Sequence, residues 1–311
     1  MCILQNFNNN YVLQEILGTG SFAVVCKISR IIDQKTFAAK IIKLEKLQEN
    51  KHKEKFFVIN KYAFSYYIFI KKNMLINEYK ALKKCRHKNI AKLEEVYQEQ
   101  TQLIYVTEYI QGGELYQRLK KIKNFKEEDA AMIIYNITQG LQYMHNQQLV
   151  HRDLKLENIL LVNHIDLDCK IIDFGFAEKI NYQKLESRAG THGFLPPELF
   201  KLQPYTEKGD IFSLGVILFC LLSGQSPFKG KTSKEVLENN KKCKISYDSD
   251  IWIKISDESK YLLKKMLEVD PNKRFKCNEI LKSKWLRKYI LNNSQSLKSS
   301  THNKTKNSLK N

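Results

Sequence analysis

The stretch HRDLKLEN, His151 to Asn158, places two cations, two carboxylates and a carboxamide within eight residues, and DFG follows at Asp173 to Gly175. Asp153 can accept a proton from a hydroxyl, Lys155 can steady a transferring phosphoryl group, and Asn158 can ligate a metal. Asp173 offers hard oxygens to a divalent cation such as Mg²⁺ shared with a nucleotide. Two short strings thus supply the parts of one reaction, phosphoryl transfer to a hydroxyl.

Upstream, GTGSFAVV begins at Gly18, between two strand candidates. Glycines there let backbone N–H groups approach an anion, although such glycines also make ordinary turns. FAAK is read as ending a strand at Lys40, a point charge suited to phosphates, and Glu78 is the carboxylate that would orient it. Surface Lys and Glu residues are commonly just solvated, so this pair gains meaning only beside the other motifs.

The surrounding chain divides into unlike halves. From Tyr11 to about Lys43, short β-prone runs predict an antiparallel sheet, followed by a helix at Leu75 to Cys85 and strands in IAKLEEVYQ and QLIYVTEYI. GGE, Gly112 to Glu114, reads as a connector. Beyond it helices dominate, and DAAMIIYNITQGLQYMHNQ and DIFSLGVILFCLLSG are apolar nearly all round, which predicts deep burial. Residues from Asn292 onward have the composition of a disordered tail. Between Lys43 and Leu75 lies FFVINKYAFSYYIFIKKN, without a clean helical or alternating period; a retained intron and a genuine insertion both stay open.

Bulk composition sets limits. The formal charge of +19 favours anionic partners without choosing among nucleotides, acidic lipids or nucleic acid, and most of the excess reads as solvated Lys. Seven cysteines with no C-x-x-C pair indicate neither a zinc ribbon nor a disulfide framework, which fits a reducing compartment. No secretory signal is read at the amino terminus, and the longest apolar run, FSLGVILFCLL, falls short of the ~20 residues of a membrane span.

With these motifs in order, the chain resembles the eukaryotic protein kinase family from about Tyr11 to Leu286: GTGSFAVV, AAK with Lys40, Glu78, HRDLKLEN, DFG, GTHGFLPPEL, DIFSLGVILF with Asp210, and DPNKRF with Arg274. The resemblance implies an α+β, two-lobed fold. A small antiparallel β lobe with one helix would span 11–110, with the insertion near 46–73, and a mainly helical lobe 111–287, followed by a basic tail at 288–311.

It further implies ATP and Mg²⁺ as cofactors. Gly18, Thr19, Gly20, Ser21, Val25, Ala38, Glu108, Ile110, Glu114 and Leu160 would be nucleotide-binding positions. Lys40 would contact phosphates and pair with Glu78, Asp153 would be the catalytic base assisted by Lys155, and Asn158 and Asp173 would hold the metal. Glu198 would pair with Arg274, and Asp210 would brace the catalytic loop. Thr107 matches the gatekeeper behind the adenine pocket.

Lys155 and the Gly190–Thr191 pair resemble the serine/threonine branch, most like its calcium/calmodulin-dependent group. Glu114 and Glu157 match acidic positions that attract basic residues near the phosphosite. The expected partners are therefore protein substrates with Ser or Thr near basic residues, with no nucleic acid, in a cytoplasmic setting with nuclear access left open. Arg152 would receive a phosphate that an upstream kinase places on Ser187.

Ala23, Leu156, Pro196 and Glu178 depart from the family pattern, and Glu178 would repel a phosphate at Ser187. No calcium-binding D-x-D-x-D-G loop follows Leu286 in this sequence. The alternative reading is a kinase-like scaffold without turnover, favoured only by the insertion before Glu78.

Overall fold

The computed structural model describes residues 3–20, 23–45, 75–181, 190–245, 247 and 249–291. Ser21, the insertion at 46–73, Ser187 and the tail beyond 291 lie outside these residues. The chain forms two compact units, Met1–Gln111 with Ile172–Glu178, and Gly112–Ile171 with Lys179–Asn311.

The first unit is built on a six-stranded sheet. Its strands are β1 (Ile3–Leu4), β2 (Tyr11–Thr19), β3 (Ala23–Arg30), β4 (Thr36–Lys43), β5 (Leu93–Gln98) and β6 (Gln102–Glu108), in the order β1-β5-β6-β4-β3-β2. All pairings from Tyr11 onward are antiparallel, as expected, whereas β1 adds in parallel to β5. Strand β4 runs on past Lys40 to Lys43, so Lys40 sits inside the ladder and does not end it as the sequence reading had it. Its neighbours there are Val25 on β3 and Tyr105 on β6.

Alternation decides what each face carries. Cys26, Ile28, Phe37, Ala39, Ile104 and Val106 join one apolar cluster with Phe7, Tyr11 and Tyr97. Phe7 stacks on Tyr11 at 5.4 Å between ring centroids, and Glu95 accepts from the hydroxyls of Tyr11 (2.9 Å) and Tyr97 (2.8 Å). The segment before Tyr11 is therefore part of this core. By the same alternation, Val25, Ala38, Lys40 and Thr107 share the opposite face, because their cross-strand partners are one another's neighbours.

The second unit is mainly helical. Helix Glu127–Asn146 begins with Glu127, Glu128 and Asp129, which complement the positive end of its dipole. Helix Glu207–Ser223 starts where Thr206 accepts from the Lys208 N–H, and stops at Gly224, whose φ of +70° suits glycine at a C-cap. Gly209 to Ser223 are all buried, as an all-round apolar helix requires. It packs between Glu127–Asn146 and Asp257–Met266. No described helix is long and apolar enough to cross a membrane.

The boundary read at 288 needs correction, because residues 284–291 form a helix. Trp285, fully buried, anchors it, and Tyr289 packs edge-on against that indole at 6.0 Å. Residues four apart share a helix face, so this contact carries the helix beyond the family boundary.

Candidate active site

In the first unit, β2 ends at Thr19 and β3 resumes at Ala23, with the Gly20 N–H bonded to the Ala23 carbonyl at 2.8 Å. A Cβ built on Gly18 would meet nothing within 4 Å among the described residues. Packing among the described residues therefore gives no reason for glycine at Gly18.

Lys40 lies on the sheet face shared with Val25 and Ala38. Its ammonium is 2.5 Å from Glu78 Oε1 and 2.9 Å from Asp173 Oδ1. Glu78 is carried by the helix over 75–84 and is 3% exposed, which in isolation would be costly for a carboxylate. Burial alone would lower the Lys40 pKa; the two carboxylates more than offset it, so the ammonium stays charged. Glu78 is pushed up by its burial against the opposing pull of Lys40. Asp173 has a φ of +59°, a sparsely populated conformation for a side chain that must be aimed.

Thr107 pairs with Ala38 across the ladder, which puts a small side chain beside a small one. Glu108 closes β6 and turns its carboxylate onto the Lys92 N–H at 2.8 Å, a structural bond. Ile110 is buried.

In the second unit, Asp153 stands in a closed polar cluster. Thr191 Oγ1 donates to Asp153 Oδ1 at 2.6 Å, Lys155 Nζ is 3.0 Å from Oδ2, and Lys155 also donates to Thr191 Oγ1 at 2.9 Å. Asn158 Nδ2 donates to the Asp153 carbonyl (2.8 Å) and to Oδ2 (3.2 Å), spending the amide nitrogen there. Asp153 is 5% exposed, so its orientation depends on these donors. Thr191, which the sequence offers only as a branch marker, is thus a direct partner of Asp153. The neighbouring Gly190 has a φ of +124°, and a Cβ there would meet the Arg152 carbonyl at 2.8 Å.

Asp210 braces the backbone beneath this cluster. Its Oδ2 accepts from the His151 N–H (2.9 Å) and its Oδ1 from the Arg152 N–H (3.0 Å) and the Tyr205 hydroxyl (2.8 Å). His145 Nε2 lies 2.9 Å from Oδ2. Burial would raise the Asp210 pKa, but the His145 ring and the loop N–H hold it below the usual carboxylate value. Burial would lower the His145 pKa; Asp210, with help from Cys277, pushes it up to about 10. The two form a buried ion pair that fixes Arg152 at a φ of +69°. Neither His145 nor Tyr205 was found in the sequence, since each is an ordinary residue of its segment until the chain folds.

Glu114 bridges to Leu160, and the connector is sealed by Gly112, where a Cβ would strike the Asn163 carbonyl at 2.3 Å. The Glu114 pKa is raised by burial and then by Glu157, while Lys155 opposes. Glu157 Oε2 is buried without a hydrogen-bond partner among the described residues. Two like charges with an unsatisfied oxygen call for a cation.

Glu198 and Arg274 meet as expected, through paired bonds of 2.7 and 2.8 Å with both groups buried. Among the described residues no group of three or more His, Cys, Asp or Glu makes a metal cage. Mg²⁺ needs none, since one or two carboxylates plus phosphate oxygens suffice. Within the first unit, Asp173 carries carboxylate oxygens of the kind Mg²⁺ takes, and Lys40, held by Glu78, is a fixed cation of the kind that suits phosphates.

A fold of one β-rich and one helical unit, bearing these groups, defines a protein kinase domain. The sequence matches the Protein kinase domain family over residues 11–286, and the chain belongs to that family. It is 38% identical over 214 residues to Calcium-dependent protein kinase 5 of Plasmodium falciparum (isolate 3D7), covering 68% of this chain and 38% of that protein. The chain therefore spans well under half the length of this curated relative.

Proposed function

We propose that this chain is a serine/threonine protein kinase that transfers the γ-phosphoryl group of Mg²⁺-ATP to protein hydroxyls flanked by basic residues. The observation that carries the reading is the Asp153 cluster, a buried carboxylate aimed by Lys155, Thr191 and Asn158. Asp153 takes the proton of the acceptor hydroxyl, and Lys155 offsets negative charge beside it. Lys40, held by Glu78, positions phosphate oxygens as a fixed cation. When bound, Mg²⁺ neutralises charge on the phosphates, and Asn158 and Asp173 are the residues that would hold it.

The basic preference rests on Glu114 and Glu157, whose mutual repulsion and unsatisfied oxygen are relieved by a substrate guanidinium. Phosphorylation of Ser187 by an upstream kinase, read by Arg152, is the accompanying regulatory proposal; undiminished activity of Ser187→Ala would dismiss it.

The test is transfer of phosphate from Mg²⁺-ATP to basic Ser/Thr peptides, with Asp153→Asn as the control. Activity lost in that variant supports the enzyme. Silence of the wild-type chain, once folded and phosphorylated, promotes the scaffold reading.

A further inference from the structure

A second feature shares Thr191 with the Asp153 cluster. A cavity of about 560 Å³ is lined by Thr191, His192, Lys231, Thr232, Ser233 and Val236. Its polar side chains are hydroxyls, an imidazole and an ammonium, and among the described residues no carboxylate lines it. Glu235, in the first turn of helix Ser233–Lys242, has its carboxylate engaged by the Lys231 N–H at 2.6 Å, while its own N–H bonds to Thr232 Oγ1 at 3.2 Å. That helix start is thus capped within the chain. Exposed His192 and Lys231 form no ion pair among the described residues.

The cavity walls are held firmly. Asn240, fully buried on the same helix, accepts from the Gly193 N–H at 3.2 Å and donates to the Leu195 carbonyl at 2.8 Å. One carboxamide therefore clamps the segment bearing His192 to the helix that follows Lys231. The cavity is also tied to the chemistry, because its wall residue Thr191 donates directly to Asp153.

We propose that this cavity receives an anionic side chain of the protein substrate, a carboxylate or a phosphorylated residue, close to the accepting hydroxyl. The proposal rests on the reading of the chain as a protein kinase. An extended peptide advances about 3.3–3.6 Å per residue, so a group bound beside Thr191 belongs about one to three residues from the acceptor. His192 and Lys231 then select for that charge, as Glu114 and Glu157 select for a basic one. The preferred substrate carries both signs.

The experiment uses the full chain and a basic Ser peptide series with Asp, phosphoserine or Asn at each flanking position. Binding is read by fluorescence anisotropy in phosphate-free buffer on non-phosphorylatable Ala versions, and KM by phosphate transfer on the Ser versions. The wild-type chain should bind Asp or phosphoserine about five- to tenfold tighter than Asn at one flanking position, with KM lowered in step. Lys231→Glu should reverse the preference toward a Lys-bearing peptide, which loss of structure cannot do; Lys231→Gln and His192→Ala, with unchanged melting transitions, should flatten it.

Equal binding of Asp, phosphoserine and Asn peptides at every position overturns the proposal, and so does a preference that survives Lys231→Glu. Acid selection that follows Lys231 in binding, without phosphate transfer to any peptide, keeps the site and overturns the kinase reading. Transfer without acid selection does the opposite.

Discussion

Glu198→Gln removes the charge of a buried partner while keeping its shape, and leaves Arg274 as an unpaired cation. Arg274 cannot escape to water: it is 1% exposed, its Nε donates to the Glu268 carbonyl at 2.8 Å and one terminal nitrogen to the Lys208 carbonyl at 2.7 Å. Its guanidinium also lies over Phe212, 5.1 Å from the ring centroid. Breaking such a pair by neutralising one member costs about 3–5 kcal/mol, a large part of the ~5–15 kcal/mol that holds a domain folded. Both tryptophans, Trp252 and Trp285, are buried in the same unit, so their fluorescence reports its unfolding. With a urea slope of about 2–3 kcal/mol/M, the midpoint should fall by roughly 1–2 M. Replacing both partners, Glu198→Gln with Arg274→Met, should cost clearly less than the sum of the single changes, since no charge is then left uncompensated. A loss below about 1 kcal/mol for Glu198→Gln, or strict additivity in the double variant, would refute the reasoning.

Lys40→Met should lower kcat/KM for peptide phosphorylation by about a hundredfold or more, because a fixed cation at the phosphates is lost; near-wild-type turnover would remove Lys40 from the machinery. The His145–Asp210 pair makes stability pH-dependent. His145 is raised from 6.5 to about 10 on folding, so its contribution is complete below about pH 6.5 and is lost as pH rises to about 10. Urea midpoints taken from pH 6 to 10 should fall more steeply for the wild-type chain than for His145→Gln; parallel curves would count against the pair. Glu157→Gln should raise KM for an Arg-bearing peptide by about tenfold while sparing one without basic residues. Thr107→Met should weaken bulky inhibitors that reach past Ala38, and equal potency on both forms would show that this position does not gate access.

Much of the chemistry was legible because it is local. HRDLKLEN, DFG and the glycine-rich run hold their groups at short spacings, and the all-round apolar character of Glu207–Ser223 announced its burial.

Other partners come from afar and left no local signal. Beside the expected Glu78, Lys40 also meets Asp173, 133 residues away, and Asp210, besides the loop it was expected to brace, gathers the His145 ring from 65 residues upstream. Thr191 reaches Asp153 across 38 residues, and Phe7 completes a core from ahead of the first strand the sequence suggested. The order of the reactive groups and the character of each segment could be read from the residues alone, because periodicity and side-chain chemistry act over a turn or a strand. The additional partners of the buried charges, Asp173 for Lys40 and His145 for Asp210, became visible with the fold, because an ion pair needs its partner within a few ångströms and that distance is set by packing.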